Sequence, residues 1–234
     1  MTSASLNRLI DVTNLRHRYQ TTDVINIDRW SLSRGQHTLI LGASGSGKTT
    51  LLSILTGLLK PTAGQISLFN TTVNTKTNRE IEQLRAQNIG LIFQDNHLIS
   101  SLTVDQNIQI SSHIARQKHI EKHKDKHPDD WHDYLLNQLN LAHVRHKKPQ
   151  ALSRGEAQRA AIICALIARP KLVIADEPTS ALDDDHAEKT LNVLQDLTTE
   201  AQATLLIATH DSRLKHAFHH HLTLSPQIHK GALK

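Results

Sequence analysis

The sequence predicts an α/β fold built on a mainly parallel sheet. Short apolar runs without alternation recur at 38–41, 89–93, 172–175 and 204–208, the pattern of strands buried on both faces. Helical stretches lie between them, and polar residues bound each run. In chain order, residues 1–36 and 62–75 are rich in Thr, Ser and Asn with short β-like runs, and are expected to form a peripheral antiparallel sheet. Residues 38–41 form the first buried strand. Leu51, Leu52, Leu55, Leu58 and Leu59 share one face of a helix expected over 50–59, which ends before Pro61. After the strand at 89–93, residues 96–151 are polar, rich in His and Lys, and helical in character. A helix over 153–168 stops before Arg169 and Pro170. The strand at 172–175 follows. A helix over 184–200 carries Ala187, Leu191, Leu194 and Leu197 at helical spacing, and the strand at 204–208 closes the pattern. No internal repeat and no linker divides the chain. The expectation is one domain over 1–234, with a helical subdomain over about 96–168 inserted in its core.

The composition narrows the class. The chain has 234 residues, one cysteine (Cys164), nine glycines and 17 histidines. One cysteine excludes a disulfide framework and a cysteine-based zinc module, and fits a reducing compartment. The longest apolar stretch, 160–168, is far short of the ~20 residues a bilayer-crossing helix needs. The first eight residues carry no apolar core of a signal peptide. The expectation is a soluble intracellular protein. The net charge of +5 is modest and reads as a solubility feature rather than a nucleic-acid footprint.

Two motifs carry chemistry on their own residues. GASGSGKT, residues 42–49, matches the phosphate-binding loop pattern at each fixed position and lies between a predicted strand and a predicted helix. Gly42, Ala43, Ser44, Gly45, Ser46 and Gly47 would wrap backbone N–H groups around phosphate oxygens, and the helix start at Thr50 would add partial positive charge. Lys48 would pair with the β- and γ-phosphates of a nucleotide, and Thr49 would offer its hydroxyl to Mg²⁺. LVIADE, residues 172–177, ends an apolar strand in two carboxylates. Asp176 would hold Mg²⁺, and Glu177 would orient the attacking water as general base.

A third motif points to a family. LSRGEAQR, residues 152–159, resembles the signature of ATP-binding-cassette ATPases. The rest of that family's motifs follow in the family's order from Tyr19 to Asp211. Gln94 resembles the Q-loop glutamine, SALD at 180–183 the D-loop, His210 the switch histidine, and Tyr19 the aromatic that stacks on adenine. The resemblance implies a P-loop NTPase with a RecA-like core, a peripheral antiparallel β subdomain and a helical subdomain. It implies that Gln94 senses Mg²⁺ and water, and that His210 contacts the γ-phosphate. It also implies that Ser153, Gly155 and Glu156 of one copy, with Asp183 across the interface, close on the nucleotide held by a second copy. The physical reading of the signature agrees: Ser153 suits an N-cap and Gly155 permits close backbone approach.

The sequence departs from the family in places. Arg154 stands where the signature usually has glycine, and Cys164 where the helix often has arginine. His119, His123 and His127 are spaced for one helix face, and His216 precedes His219, His220 and His221. Both sets read as polar surface, and no tight zinc site is expected.

The leading functional expectation is the ATPase subunit of a membrane transporter, peripheral on the cytoplasmic face of the inner or cell membrane. Separate permease subunits would dock through coupling helices near Leu98, Ile99, Leu102 and Val104. No nucleic-acid partner is expected. Details at 174–179, 92–98 and 208–213 are similar to the lipoprotein-release and macrolide-efflux group. SALD is shared with amino-acid importers, the alternative. A soluble cassette ATPase of repair or translation and a P-loop kinase or GTPase are less favoured.

Overall fold

The computed structural model describes residues 7–116, 128–179 and 184–225. In chain order the elements are β1 (Arg8–Tyr19), β2 (Thr22–Ser33), β3 (Thr38–Leu41), α1 (Lys48–Leu55), β4 (Ala63–Leu68), β5 (Thr71–Thr72), α2 (Asn78–Asn88), β6 (Ile89–Ile92), α3 (Val104–Arg116), α4 (Pro128–Gln138), α5 (Arg154–Leu166), β7 (Leu172–Asp176), α6 (Asp184–Glu200), β8 (Thr204–Thr209) and β9 (His220–Thr223). They fall into two compact units, one of residues 1–85 and 204–234, the other of 86–203.

The first unit holds the antiparallel sheet expected from 1–36 and 62–75, in the order β2-β1-β4-β5. It also holds β3, paired in parallel with β8 on one side and β9 on the other. Every residue of β3 and β8 is buried, as their unbroken apolar runs require. Strand β9 had no such signal: its residues His220, His221, Leu222 and Thr223 are exposed or half-exposed at an edge, so no apolar pattern marks it. Helix α1 begins earlier and ends sooner than the expected 50–59. Gly57 takes φ 70°, its N–H donates to the Ile54 carbonyl, and the Leu58 N–H donates to the Ser53 carbonyl. This is a left-handed glycine stop, so Leu58 and Leu59 lie beyond the helix. A Cβ on Gly57 would come within 2.2 Å of Ile81 Cγ2.

The second unit pairs β6 and β7 in parallel, Ile92 opposite Ala175, and carries α3 to α6. Strand β6 stops at Ile92, one residue short of the expected end. Helix α5 starts after Ser153 and ends at Leu166, slightly inside the expected 153–168. Helix α4 is held by Trp131, whose indole N–H donates to the Leu166 carbonyl and whose ring lies 4.3 Å beneath the Arg169 guanidinium. Helix α2, which spans the change between units, was not foreseen because 78–88 is largely polar. It starts with a capping box: the Glu80 carboxylate accepts from the Thr77 N–H, and the Glu80 N–H donates to Thr77 Oγ1. With Lys76 beside it, the Glu80 carboxyl is pulled down to about 2.

One docking expectation needs correction. Val104 is fully buried at the start of α3, where its N–H donates to the Lys147 carbonyl, so it belongs to the core. Ile99 is exposed. Its segment is tied down by Asn107, whose amide donates to the carbonyls of Ile99, Leu102 and Thr103 while its oxygen accepts the Ile99 N–H.

Candidate functional site

In the first unit the loop 42–49 bridges β3 and α1. Gly45 and Gly47 have φ of 76° and 94°, left-handed values that glycine alone adopts without strain. The Gly47 N-cap is also crowded: a Cβ there would come within 2.9 Å of Val24 Cγ1 and 3.0 Å of Ile25 Cδ1. Val24 is the extra residue of a β-bulge in β2, since His17 pairs with Ile25 and Arg18 with Asp23. The bulge thus turns β2 toward the loop. The buried Lys48 ammonium donates to the carbonyls of Gly42 (2.8 Å) and Ala43 (3.2 Å), which curls the side chain back over its own loop. Ser46 is buried with its hydroxyl lacking a partner, while Ala43, Ser44, Gly45 and Thr49 are exposed and Thr50 half-exposed. The loop therefore offers a concentrated set of N–H, hydroxyl and ammonium donors and fits a polyphosphate.

His210 follows β8 at the same end of the sheet. Leu41 is paired with Thr209, and the Gly42 N–H donates to the Thr209 carbonyl, so the residue before His210 is bonded to the first residue of the loop. The Thr209 hydroxyl accepts from the Asp211 N–H. Asp211 caps the turn 212–217 and is clamped by Arg213, whose guanidinium holds the carboxyl below the usual range. Thr209 had no distinguishing sequence signal. Tyr19 ends β1 opposite Thr22 and is 50% exposed.

In the second unit, Gln94, Asp176 and Glu177 leave the same edge of the β6–β7 pair. Asp176 is buried and Gln94 exposed. Glu177 has φ 49°, a left-handed conformation that costs a non-glycine residue ~1–2 kcal/mol. Strain of this kind, on a carboxylate at a strand's C-terminal edge, fixes the direction of the side chain.

Ser153 is the N-cap of α5, as expected. Ser153 followed three residues later by Glu156 is also the signature of a capping box, and the box is formed here. The Glu156 carboxylate accepts from the Ser153 N–H at 2.7 Å, and the Glu156 N–H donates to Ser153 Oγ at 3.2 Å. These bonds hold the Glu156 carboxyl below its usual range, so Glu156 shapes the helix start. Gly155 is half-buried and Arg154 exposed. Burial pushes the Cys164 thiol up to about 11, the behaviour of an inert core residue. Asp183, SALD at 180–183, and His119, His123 and His127 lie outside the described residues. Near the end of the chain, His220 accepts from Gln36 (3.0 Å), His221 meets the Lys215 carbonyl (3.1 Å), and His216 the Arg213 carbonyl. Among the described residues no three His, Cys, Asp or Glu side chains cluster as a metal site.

The chain is similar to known proteins. The ABC transporter family matches residues 25–180. An uncharacterized ABC transporter ATP-binding protein of Mycobacterium tuberculosis is 39% identical over 86% of this chain and 77% of its own length. The lipoprotein-releasing system ATP-binding protein LolD of Buchnera aphidicola is 40% identical over 78% of this chain and 77% of its own. Among solved structures, the dimeric bacterial ABC transporter cassette MJ0796 superimposes with TM-score 0.81 at 28% identity, covering 93% of this chain and 94% of that one. A dimeric post-hydrolysis state of the same cassette, bound to ADP and phosphate, matches with TM-score 0.81 at 27% identity over 94% of this chain and 97% of that one.

Proposed function

We propose that this chain, which belongs to the ABC transporter family and is an ATPase of it, powers an exporter or lipoprotein-release-type complex. What supports the finer reading is the group of lipoprotein-release relatives and the similar details at 174–179, 92–98 and 208–213. What supports nucleotide binding most directly is the loop 42–49, with Lys48 folded over it and Gly42 bonded to Thr209.

In this reading residues 1–234 act as one cassette, with a helical part over about 96–168. Lys48 and the loop amides bind the phosphates of ATP, Tyr19 stacks on the adenine, and His210 contacts the γ-phosphate. Glu177 orients the attacking water and accepts its proton as the water oxygen bonds to the γ-phosphorus and the bond to ADP breaks. Thr49, Asp176 and Gln94 offer the oxygen donors a hard divalent cation takes, and would hold Mg²⁺ together with phosphates and water. Bound there, the ion would neutralise charge on the β- and γ-phosphates. Two copies sandwich two nucleotides. Ser153 and Gly155 of one copy meet the γ-phosphate bound by the other, and Asp183 acts across the interface. Loss of the bridging γ-phosphate parts the copies.

No helix among the described residues is long and apolar enough to cross a membrane. In the proposed assembly, separate permease subunits dock around Leu98, Ile99 and Leu102 on the cytoplasmic face. The test is affinity purification from detergent-solubilised membranes. Recovery of integral membrane proteins with the chain is the expected result, and recovery of nucleic acid or ribosomal particles instead would refute the assignment.

A further inference from the structure

His17 is a buried polar residue of β1 in the first unit. It is 6% exposed, and neither ring nitrogen has a hydrogen-bond partner. An unpaired polar ring in the interior is unfavourable, and an apolar side chain would fill the same place without that cost. The contacts of the ring are specific. Across the ladder it is paired with Ile25, the residue whose Cδ1 lies 3.0 Å from the Cβ position of Gly47 in the phosphate loop. On its own strand it meets Tyr19 edge to face, with centroids 4.8 Å apart and planes at 83°.

The backbone of Tyr19 is already fixed. Arg18 pairs with Asp23 at 2.7 Å across the hairpin, and the Arg18 N–H donates to Thr62 Oγ1. The tyrosine ring is half-exposed, and a ring that must be ordered on binding weakens the ligand it stacks on. An edge-to-face neighbour supplies that order beforehand, because the ring quadrupoles favour this arrangement.

We propose that His17 is a positioning residue for base recognition: it holds the Tyr19 ring so that the open face receives the planar base of a nucleotide whose phosphates lie in the loop 42–49. The inference rests on Tyr19 as the base platform and adds the residue that sets its pose.

The experiment measures binding of ATP and of inorganic tripolyphosphate to the full chain by calorimetry. Tyr19→Ala should weaken ATP about 5- to 150-fold. His17→Ala should weaken ATP about 2- to 12-fold, leave tripolyphosphate unchanged, and add nothing in the Tyr19→Ala background. His17→Phe keeps an edge-to-face partner and should restore ATP affinity. An equal loss of tripolyphosphate would mean that the damage runs through Ile25 into the loop and would overturn the proposal. So would a full loss in the Tyr19→Ala background, or a phenylalanine variant as weak as the alanine one. If Tyr19→Ala itself leaves ATP affinity intact, the base platform is refuted. If only His17→Ala is silent, the platform stands and the positioning role falls.

Discussion

Replacing Glu177 by Ala and by Gly separates the strain at this residue from its chemistry. Both changes remove the carboxylate and every contact it makes, so their difference reports on the backbone. With φ at 49°, alanine retains the left-handed cost of ~1–2 kcal/mol and glycine escapes it. Glycine gives back ~0.4–1 kcal/mol through its more disordered unfolded chain. The Gly variant should therefore be the more stable of the two by about 0.5–1 kcal/mol, or roughly 1–4 °C in Tm for a chain of this size. Pro178 follows and favours extended backbone at its predecessor, so the left-handed conformation is imposed by the surroundings. Paired thermal melts measure the difference, and steady-state hydrolysis measures the second effect. Both variants should lose turnover by ~10²–10⁴-fold, the contribution of a positioned general base. An alanine variant that melts at or above the glycine variant would refute the strained backbone. Turnover near wild type in either would refute the role of the carboxylate.

Three other outcomes follow from the same structure. Lys48→Ala should abolish ATP binding in calorimetry, because the loop loses its ammonium; undiminished affinity would contradict the phosphate-loop reading. Gly57→Ala combines a left-handed φ with a Cβ 2.2 Å from Ile81 Cγ2, and should cost about 2–4 kcal/mol and lower Tm by roughly 5–15 °C. His37 Nδ1 accepts the Leu205 N–H at 3.0 Å, and burial pushes the imidazole below its ordinary value. The unfolded chain therefore binds the proton more readily, so this contribution is complete above about pH 6.5 and declines as pH falls through the lowered native value. Denaturant melts across pH 5–7 should show a slope that His37→Gln flattens.

The buried strands were legible because burial on both faces leaves an unbroken apolar run, as in β3, β7 and β8. Strand β9 and helix α2 were not, because an edge strand and a surface helix need no such run. Gly57 was legible in principle as a helix stop, but the leucines beyond it kept the apolar pattern alive. The candidate site residues were picked out where chemistry demands a residue type at a fixed place, as in the loop 42–49 and at Asp176, Glu177 and His210. The sequence did not mark His17, Thr209 or the bulge at Val24. Their roles come from strand pairing and from register, which bring residues distant in sequence against the loop. Glu156 was read as touching nucleotide, and the structure gives its carboxylate a nearer partner in the Ser153 N–H.

The central claim is that this chain works by an ATP-driven sandwich of two copies, opened by hydrolysis at Glu177. Sedimentation velocity of the Glu177→Gln variant with and without ATP tests it most directly. The expected result is a monomer without nucleotide and a stable dimer with ATP, together with loss of turnover. A monomer at saturating ATP, or turnover at the wild-type rate, would contradict the claim.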